Sequence, residues 1–275
     1  MITIIISSVK DGLFFSLEEN IKKTIGNITY EIIRINNPGI MSIGVAYNKG
    51  AKKAKFNHLL FIHEDIKFLQ NNWGLELLQI HNSNENIGII GLAGGTKKFL
   101  LPTGFESGIY QLKHNFIPRN EKQATNFFSK NELRQVKTLD GVFLSLTRKR
   151  WEELKFSEEI EGFHFYDLDI SLRASENFEN FVTSRIPIIH YSLGKFDNMW
   201  IRSSINFHKR KYHFDICNSQ EKSVVRNFWY KRLLREEISF VNRVYYSFNL
   251  GIDRASIKNF LKFLFWNFIS LTGRD

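Results

Sequence analysis

Cysteine is nearly absent, with Cys217 alone among 275 residues. A single thiol excludes an internal disulfide and any zinc site built from several cysteines, and it suits a reducing compartment. No apolar run reaches the roughly 18–20 residues that a membrane-spanning helix needs. No basic stretch precedes the short apolar run at residues 2–6, which argues against a secretory signal. Internal repeats and low-complexity tracts are missing too, so neither a repeat array nor a disordered chain is expected. These absences point to a globular protein of the cytoplasm.

What is present is unevenly spread. At roughly 150 residues per domain, the length suits one large domain or one domain with an extension. The net charge is +10, and residues 199–275 hold 14 basic and 6 acidic side chains against 24 and 22 in the first 198. An excess gathered at one end implies an anionic partner for that end, either a nucleic acid or a membrane surface.

The first two hundred residues alternate between two periodicities. Residues 2–7 are a continuous β-branched run that predicts a buried parallel strand. Leu13, Leu17, Ile21 and Ile25 recur at helical spacing before Gly26-Asn27. A strand at 30–35 ends in the turn Asn36-Asn37-Pro38-Gly39. Ser42 can cap a helix with Ile43, Ala46, Tyr47, Ala51 and Ala54 on its inner face. Further strands are predicted at 58–62, at 87–92 (broken by Gly94-Gly95), at 142–146, and at 181–191 with an interruption at Pro187; residues 167–177 read as helix. This order predicts an α/β fold with a largely parallel sheet. Residues 96–136 show little periodicity, as a long functional or mobile loop would. From Asn227 onward the chain reads as helices rich in aromatic and basic residues.

In open α/β sheets, ligands bind beyond the carboxyl ends of the strands. The polar residues there are Ser7-Ser8, Asn36-Asn37, His63-Glu64-Asp65, and His190 with Ser192. A carboxylate of His63-Glu64-Asp65 suits a hard cation such as Mg²⁺ or Mn²⁺; the same acids also read as caps of a following helix. His190 suits a ligand beside a carboxylate, or an ordinary strand-end histidine. Asp167 and Asp169 open a helix two residues apart and point differently, so one can serve as a general base while the other complements the helix end.

At these residues the chain resembles the family 2 glycosyltransferases of GT-A fold. The amino-terminal half of that family is matched by Asn36-Asn37, by Ser42-Ile43-Gly44-Val45-Ala46-Tyr47-Asn48-Lys49-Gly50-Ala51, and by His63-Glu64-Asp65. Its later segments are matched by Asp140-Gly141-Val142-Phe143-Leu144, by residues 162–173, and by His190-Tyr191-Ser192-Leu193-Gly194. The resemblance runs in order over roughly residues 1–200. It implies a GT-A type mixed, mostly parallel sheet flanked by helices, with 1–200 as the nucleotide-sugar-binding and catalytic domain and 201–275 as a basic, aromatic-rich helical extension.

Site roles follow from the same resemblance. Ser7, Asn36, Asn37, Asn48, His63 and Glu64 would serve the donor, Asp65 and His190 a divalent metal, and Asp167 the base. Asp140, Gly141 and Tyr166 would border the acceptor or donor sugar, although Asp140-Gly141 also reads as a plain turn. Residues 94–136 would cover the acceptor. Two positions depart from the family pattern: His63 stands at the first acid of its Asp-x-Asp motif, and Tyr166 replaces the glutamate of its Glu-Asp motif. The implied activity is inverting transfer from a nucleotide sugar, a UDP-sugar first, to a glycan or lipid-linked acceptor, assisted by Mn²⁺ or Mg²⁺. Bacterial polysaccharide or lipopolysaccharide assembly is the expected setting, in the cytoplasm or peripherally on the inner face of the cell membrane. The tail would lie on an anionic membrane, pack on the domain, or make a homodimer contact. Two other functions compete, a nucleic-acid-binding protein using the tail and an inactive GT-A-like binding protein; the near-neutral first 198 residues oppose the former.

Overall fold

The structure, a computed structural model, describes residues 1–118, 131–192, 194, 196–210, 212–235, 238–248 and 257–272. Contacts divide the chain into two units, Met1–Thr96 with His114–Leu193, and Lys97–Lys113 with Gly194–Asp275.

The first unit opens as its hydrophobic pattern demands, with β1 (Ile2–Ser8), α1 (Asp11–Thr24), β2 (Tyr30–Asn36), α2 (Ile43–Lys53) and β3 (His58–His63). It continues through β4 (Ile66–Phe68), α3 (Trp73–Ser83), β5 (Ile87–Gly91), β6 (Ala93–Gly95), β7 (Lys113–Asn115), β8 (Leu133–Val136), β9 (Thr138–Leu139) and β10 (Phe143–Thr147). It closes with α4 (Arg148–Leu154), α5 (Tyr166–Ala174), β11 (Glu179–Thr183) and β12 (Ile188–His190).

The seven-stranded central sheet has the order β2-β1-β3-β10-β5-β11-β8. β1 is parallel to β2 and β3, while β10 runs against both β3 and β5. The sheet is therefore mixed and mostly parallel, as expected. Alternation along the strands builds two cores. Ile4, Ile6, Leu60 and Ile62 pack with Phe14, Leu17 and Ile21 of α1 and with Trp73, Leu77 and Ile80 of α3. Ile5, Leu59, Phe61 and Leu144 face Ile43, Tyr47 and Ala51 of α2, Trp151 of α4 and Ile170 of α5. Each such side chain contributes about 1.5–3 kcal/mol when fully buried.

Local signals set the helix ends. The Ser42 hydroxyl accepts from Val45 N at the start of α2, as the capping argument requires. Gly94 and Gly95, read as a break, instead pair with Leu139 and Thr138 as a strand. The aperiodic stretch contains a 3₁₀ turn at Tyr110–Leu112 together with β7 and β8. Residues 119–130 lie outside the described residues, and that part of the expected acceptor-covering loop lies there with them.

The second unit holds α6 (Asn198–Phe207), α7 (Ser219–Arg235), α8 (Phe240–Phe248) and α9 (Ile257–Thr272). Asp197 caps α6 by accepting from Met199 N and Trp200 N, both at 3.0 Å. Trp229, Leu233 and Phe263 are fully or almost fully buried, and the Tyr230 and Phe263 rings stack at 5.0 Å. Among the described residues, no helix is long and apolar enough to cross a membrane.

Candidate active site

Parallel register brings the polar ends of β1, β2 and β3 side by side. Ser7 lies between Ile35 and His63, and Ser8 is opposite Asn36. Asn37 is fully buried; its amide donates to Met41 O at 3.0 Å and reaches Ser7 Oγ at 3.4 Å. It thereby fixes the turn after β2 against β1. Asn36 is exposed at the end of its strand.

The reversed strand supplies the next residues. Phe143 of β10 is opposite Ile62, so Asp140, Gly141 and Val142 arrive beside the end of β3, where His63 N donates to Val142 O at 3.2 Å. A separate pairing, β4 with β12, sets His190 opposite Ile66, and Tyr191 N donates to Asp65 O at 3.0 Å. Residues far apart in sequence thus meet.

His63, Asp65 and His190 each offer one ligand atom, and these atoms lie within 4.8 Å of one another. His190 Nε2 is 3.2 Å from Asp65 Oδ1 but is not aligned as a hydrogen-bond donor, and it has no hydrogen-bond partner among the described residues. A cation shared with Asp65 would engage that nitrogen. Burial raises the Asp65 carboxyl, but His190 and His63 outweigh that and hold it below the usual range, so it is ionised. Burial and His190 lower His63, leaving it neutral. A carboxylate with two imidazoles therefore fits a divalent ion, and the imidazoles favour Mn²⁺ over Mg²⁺.

The protonation of His63 can be traced through its neighbours. The Tyr166 hydroxyl donates to Gly141 O at 2.9 Å and lies 2.9 Å from His63 Nε2. When that hydroxyl donates to Gly141 O it accepts from Nε2–H, a tautomer that leaves the Nδ1 lone pair for a metal. The two departures from the family pattern, His63 and Tyr166, are hydrogen-bonded to each other.

Phe165, in the left-handed region at φ 67°, turns the chain into α5 and sets the two aspartates that follow. Asp167 Oδ2 accepts from Gly141 N and Oδ1 from Leu168 N, each at 2.9 Å. Burial and the nearby charge of Asp140 push Asp167 up to about 7, against the lowering effect of backbone donors. Asp169 diverges, as its spacing suggests, and is buried against Arg173 Nε at 3.1 Å. Gly141 is required by contact: a Cβ there would lie 2.1 Å from Tyr166 Oη and 3.1 Å from Asp167 Cβ.

Two residues expected at the donor have other duties. Asn48 is buried and uses all its hydrogen-bonding groups inside the fold. Its amide donates to Phe156 O at 2.8 Å and Glu158 Oε1 at 3.0 Å, and its carbonyl accepts from Trp151 Nε1 and Phe156 N, both at 3.1 Å. The Glu64 carboxylate accepts from Val9 N and Lys10 N at 3.1–3.2 Å, so it anchors the start of α1. His63, grouped with the donor residues by sequence, also stands among the potential metal ligands.

This fold agrees with comparison to known proteins. A family model described as "Glycosyltransferase like family" matches residues 7–226. The chain belongs to that glycosyltransferase-like family. No curated protein sequence matches it. Among solved structures, GalNAc-T7 with UDP, GalNAc and Mn²⁺ superposes with a TM-score of 0.53 at 11% identity, covering 98% of this chain and 57% of that one. The chain thus spans little more than half the length of that protein, and the likeness shows the GT-A fold. Mannosyltransferase PcManGT from Pyrobaculum calidifontis, in complex with GDP-Man and Mn²⁺, gives 0.48 at 10% identity over 99% of this chain and 74% of that one. S. aureus TarS 1-349 gives 0.44 at 11% identity over 99% and 81%.

Proposed function

We propose that the chain is an inverting, metal-dependent glycosyltransferase that moves a sugar from a nucleotide sugar, a UDP-sugar first, to a hydroxyl of a glycan or lipid-linked acceptor. The observation that carries this reading is the continuous path from the His63–Asp65–His190 group through Tyr166 and Gly141 to Asp167. Residues 1–200 would carry the reaction, with 201–275 as the extension.

Asp167 would take the proton of the acceptor hydroxyl as that oxygen attacks the anomeric carbon. A base whose proton affinity lies near neutrality can accept in one step and release afterwards. A single displacement from the face opposite the leaving diphosphate inverts the anomeric centre. His63 Nδ1, Asp65 and His190 would hold Mn²⁺, which when bound supplies Lewis-acid neutralisation of the diphosphate. Ser7 and Asn37 support the nucleoside end, and Asn36, exposed beside them, is the third donor candidate. Asp140 sustains the proton affinity of Asp167, and Gly141 keeps the backbone open to the sugar. Assembly of a bacterial surface polysaccharide or lipopolysaccharide matches an acceptor of this kind.

The test is release of UDP or GDP from a panel of nucleotide sugars with and without Mn²⁺, for the wild type and Asp167→Asn. The variant is expected to lose transfer while keeping donor-induced thermal stabilisation. Unimpaired turnover would remove Asp167 from the role. No response of the wild type to any donor would leave the inactive binding protein as the better reading.

A further inference from the structure

The second unit turns apolar side chains outward on two successive helices. On α8 the exposed residues are Val241, Tyr245 and Phe248, at 73%, 64% and 54% exposure, spaced i, i+4, i+7 along one stripe. On α9, Leu261, Phe265 and Phe268 repeat that spacing at 58%, 60% and 60%. The polar Asn267 is fully buried instead, with its Oδ1 3.3 Å from Arg243 Nη1. Water as the only neighbour would favour the opposite arrangement. The two helices approach where the Phe248 ring lies 5.5 Å from that of the buried Phe260.

Charge surrounds this face. Lys258 and Lys262 are exposed, one helical turn from Leu261 and Phe265. Lys231 and Lys262, with Tyr230, Asn259 and Trp266, line a groove of about 460 Å³ between α7 and α9. Residues 240–272 contain four basic side chains and one acid, Asp253.

We propose that this face is a docking surface for a bilayer rich in anionic phospholipid. Leu261, Phe265 and Phe268 enter the boundary between headgroups and acyl chains, and the groove between Lys231 and Lys262 takes a lipid phosphate. At about 1.5 Å per residue, the 16 residues of α9 are shorter than a hydrocarbon core of about 30 Å. The helix therefore lies in the interface rather than across it. A second copy of the chain is a poorer occupant, because its lysines would meet lysines with no exposed carboxylate on α8 or α9 to pair them. A nucleic acid would use the bases and aromatics but leave Val241 and Leu261 without a role. The proposal does not depend on glycosyl transfer, since docking is read without donor or acceptor.

The experiment is flotation of the full chain with phosphatidylcholine vesicles, with and without phosphatidylglycerol. Two variants, Phe265→Ser/Phe268→Ser and Lys231→Glu/Lys262→Glu, change exposed positions only, and their unfolding midpoints are measured alongside. The wild type is expected to float with phosphatidylglycerol vesicles and not with pure phosphatidylcholine. Each variant should lose at least tenfold in binding at an unchanged unfolding midpoint. Equal binding to both vesicle types, or no loss in either variant, overturns the proposal. So does a wild type that ignores vesicles but forms a dimer, or binds oligonucleotide, in a manner abolished by the same substitutions. If a variant unfolds, Trp266 emission in the wild type compared with Trp266→Phe supplies the readout: a blue shift on phosphatidylglycerol vesicles is expected, and its absence refutes docking.

Discussion

Replacing Asp167 with asparagine should change the stability of the protein in a pH-dependent way. Burial and Asp140 raise this carboxyl from 3.8 to about 7, so between those values the folded protein holds a proton that the unfolded chain releases. Stability therefore falls as pH rises through that window, by about 1.4 kcal/mol per unit, and levels off above pH 7. Two of those units lie between pH 5 and pH 8, so the penalty grows by as much as about 3 kcal/mol. The substituted amide, which does not titrate, carries no such penalty. It also offers one acceptor where the carboxylate offers two, to Gly141 N and Leu168 N, at a pH-independent cost of about 1 kcal/mol. The stability of Asp167→Asn minus that of the wild type should thus rise by about 3 kcal/mol from pH 5 to pH 8. Urea unfolding across that range measures it. A difference that stays flat with pH would refute the claim that Asp167 holds its proton up to near neutrality.

Tyr166→Phe leaves Gly141 O and His63 Nε2 without their shared hydroxyl, so Mn²⁺ affinity should fall roughly 10–100-fold, read by calorimetric titration. His190→Ala removes the nitrogen that sits beside Asp65 without a hydrogen bond, and manganese titration should then show no saturable site. Gly141→Ala drives a methyl group into Tyr166 and should cost about 1–3 kcal/mol in urea unfolding, with loss of nucleotide release. Asn48→Ala strands Trp151 Nε1 and Phe156 N and should cost about 2–4 kcal/mol, while donor affinity of the folded protein stays unchanged.

The sheet and its first helices are legible because their hydrophobic periods are unmixed: β1 is all β-branched or small, and α1 carries Leu17 and Ile21 at full burial. α3 is not among the expected elements, although Trp73, Leu77 and Ile80 have helical spacing. Its start is disguised by Asn72 in a left-handed conformation, and by Gly74, where a Cβ would lie 2.8 Å from Ile25 O. The positions of Asp65, His190 and Asp167 can be named from the sequence, since each sits at the end of an element. Which neighbours they meet cannot be. Glu64 and Asp65 are adjacent, yet one serves the start of α1 and the other faces His190, because the chain bends at these two residues between β3 and β4. The grouping of His63 with His190 depends on the β4–β12 pairing, which no local spacing encodes. Asn48 misleads because its partners, Trp151 and Phe156, lie over a hundred residues away.

The reversed direction of β10 limits how the enzyme could be re-engineered. Phe143 and Leu144 point into different cores, so inserting one residue in the turn 140–142 would exchange the layers they fill or tear His63 N from Val142 O. Lengthening that turn would therefore disturb the His63–Asp65–His190 group as well. Variation is better sought at Asn36, exposed at the end of β2, than at Asn37, whose buried amide pins the turn.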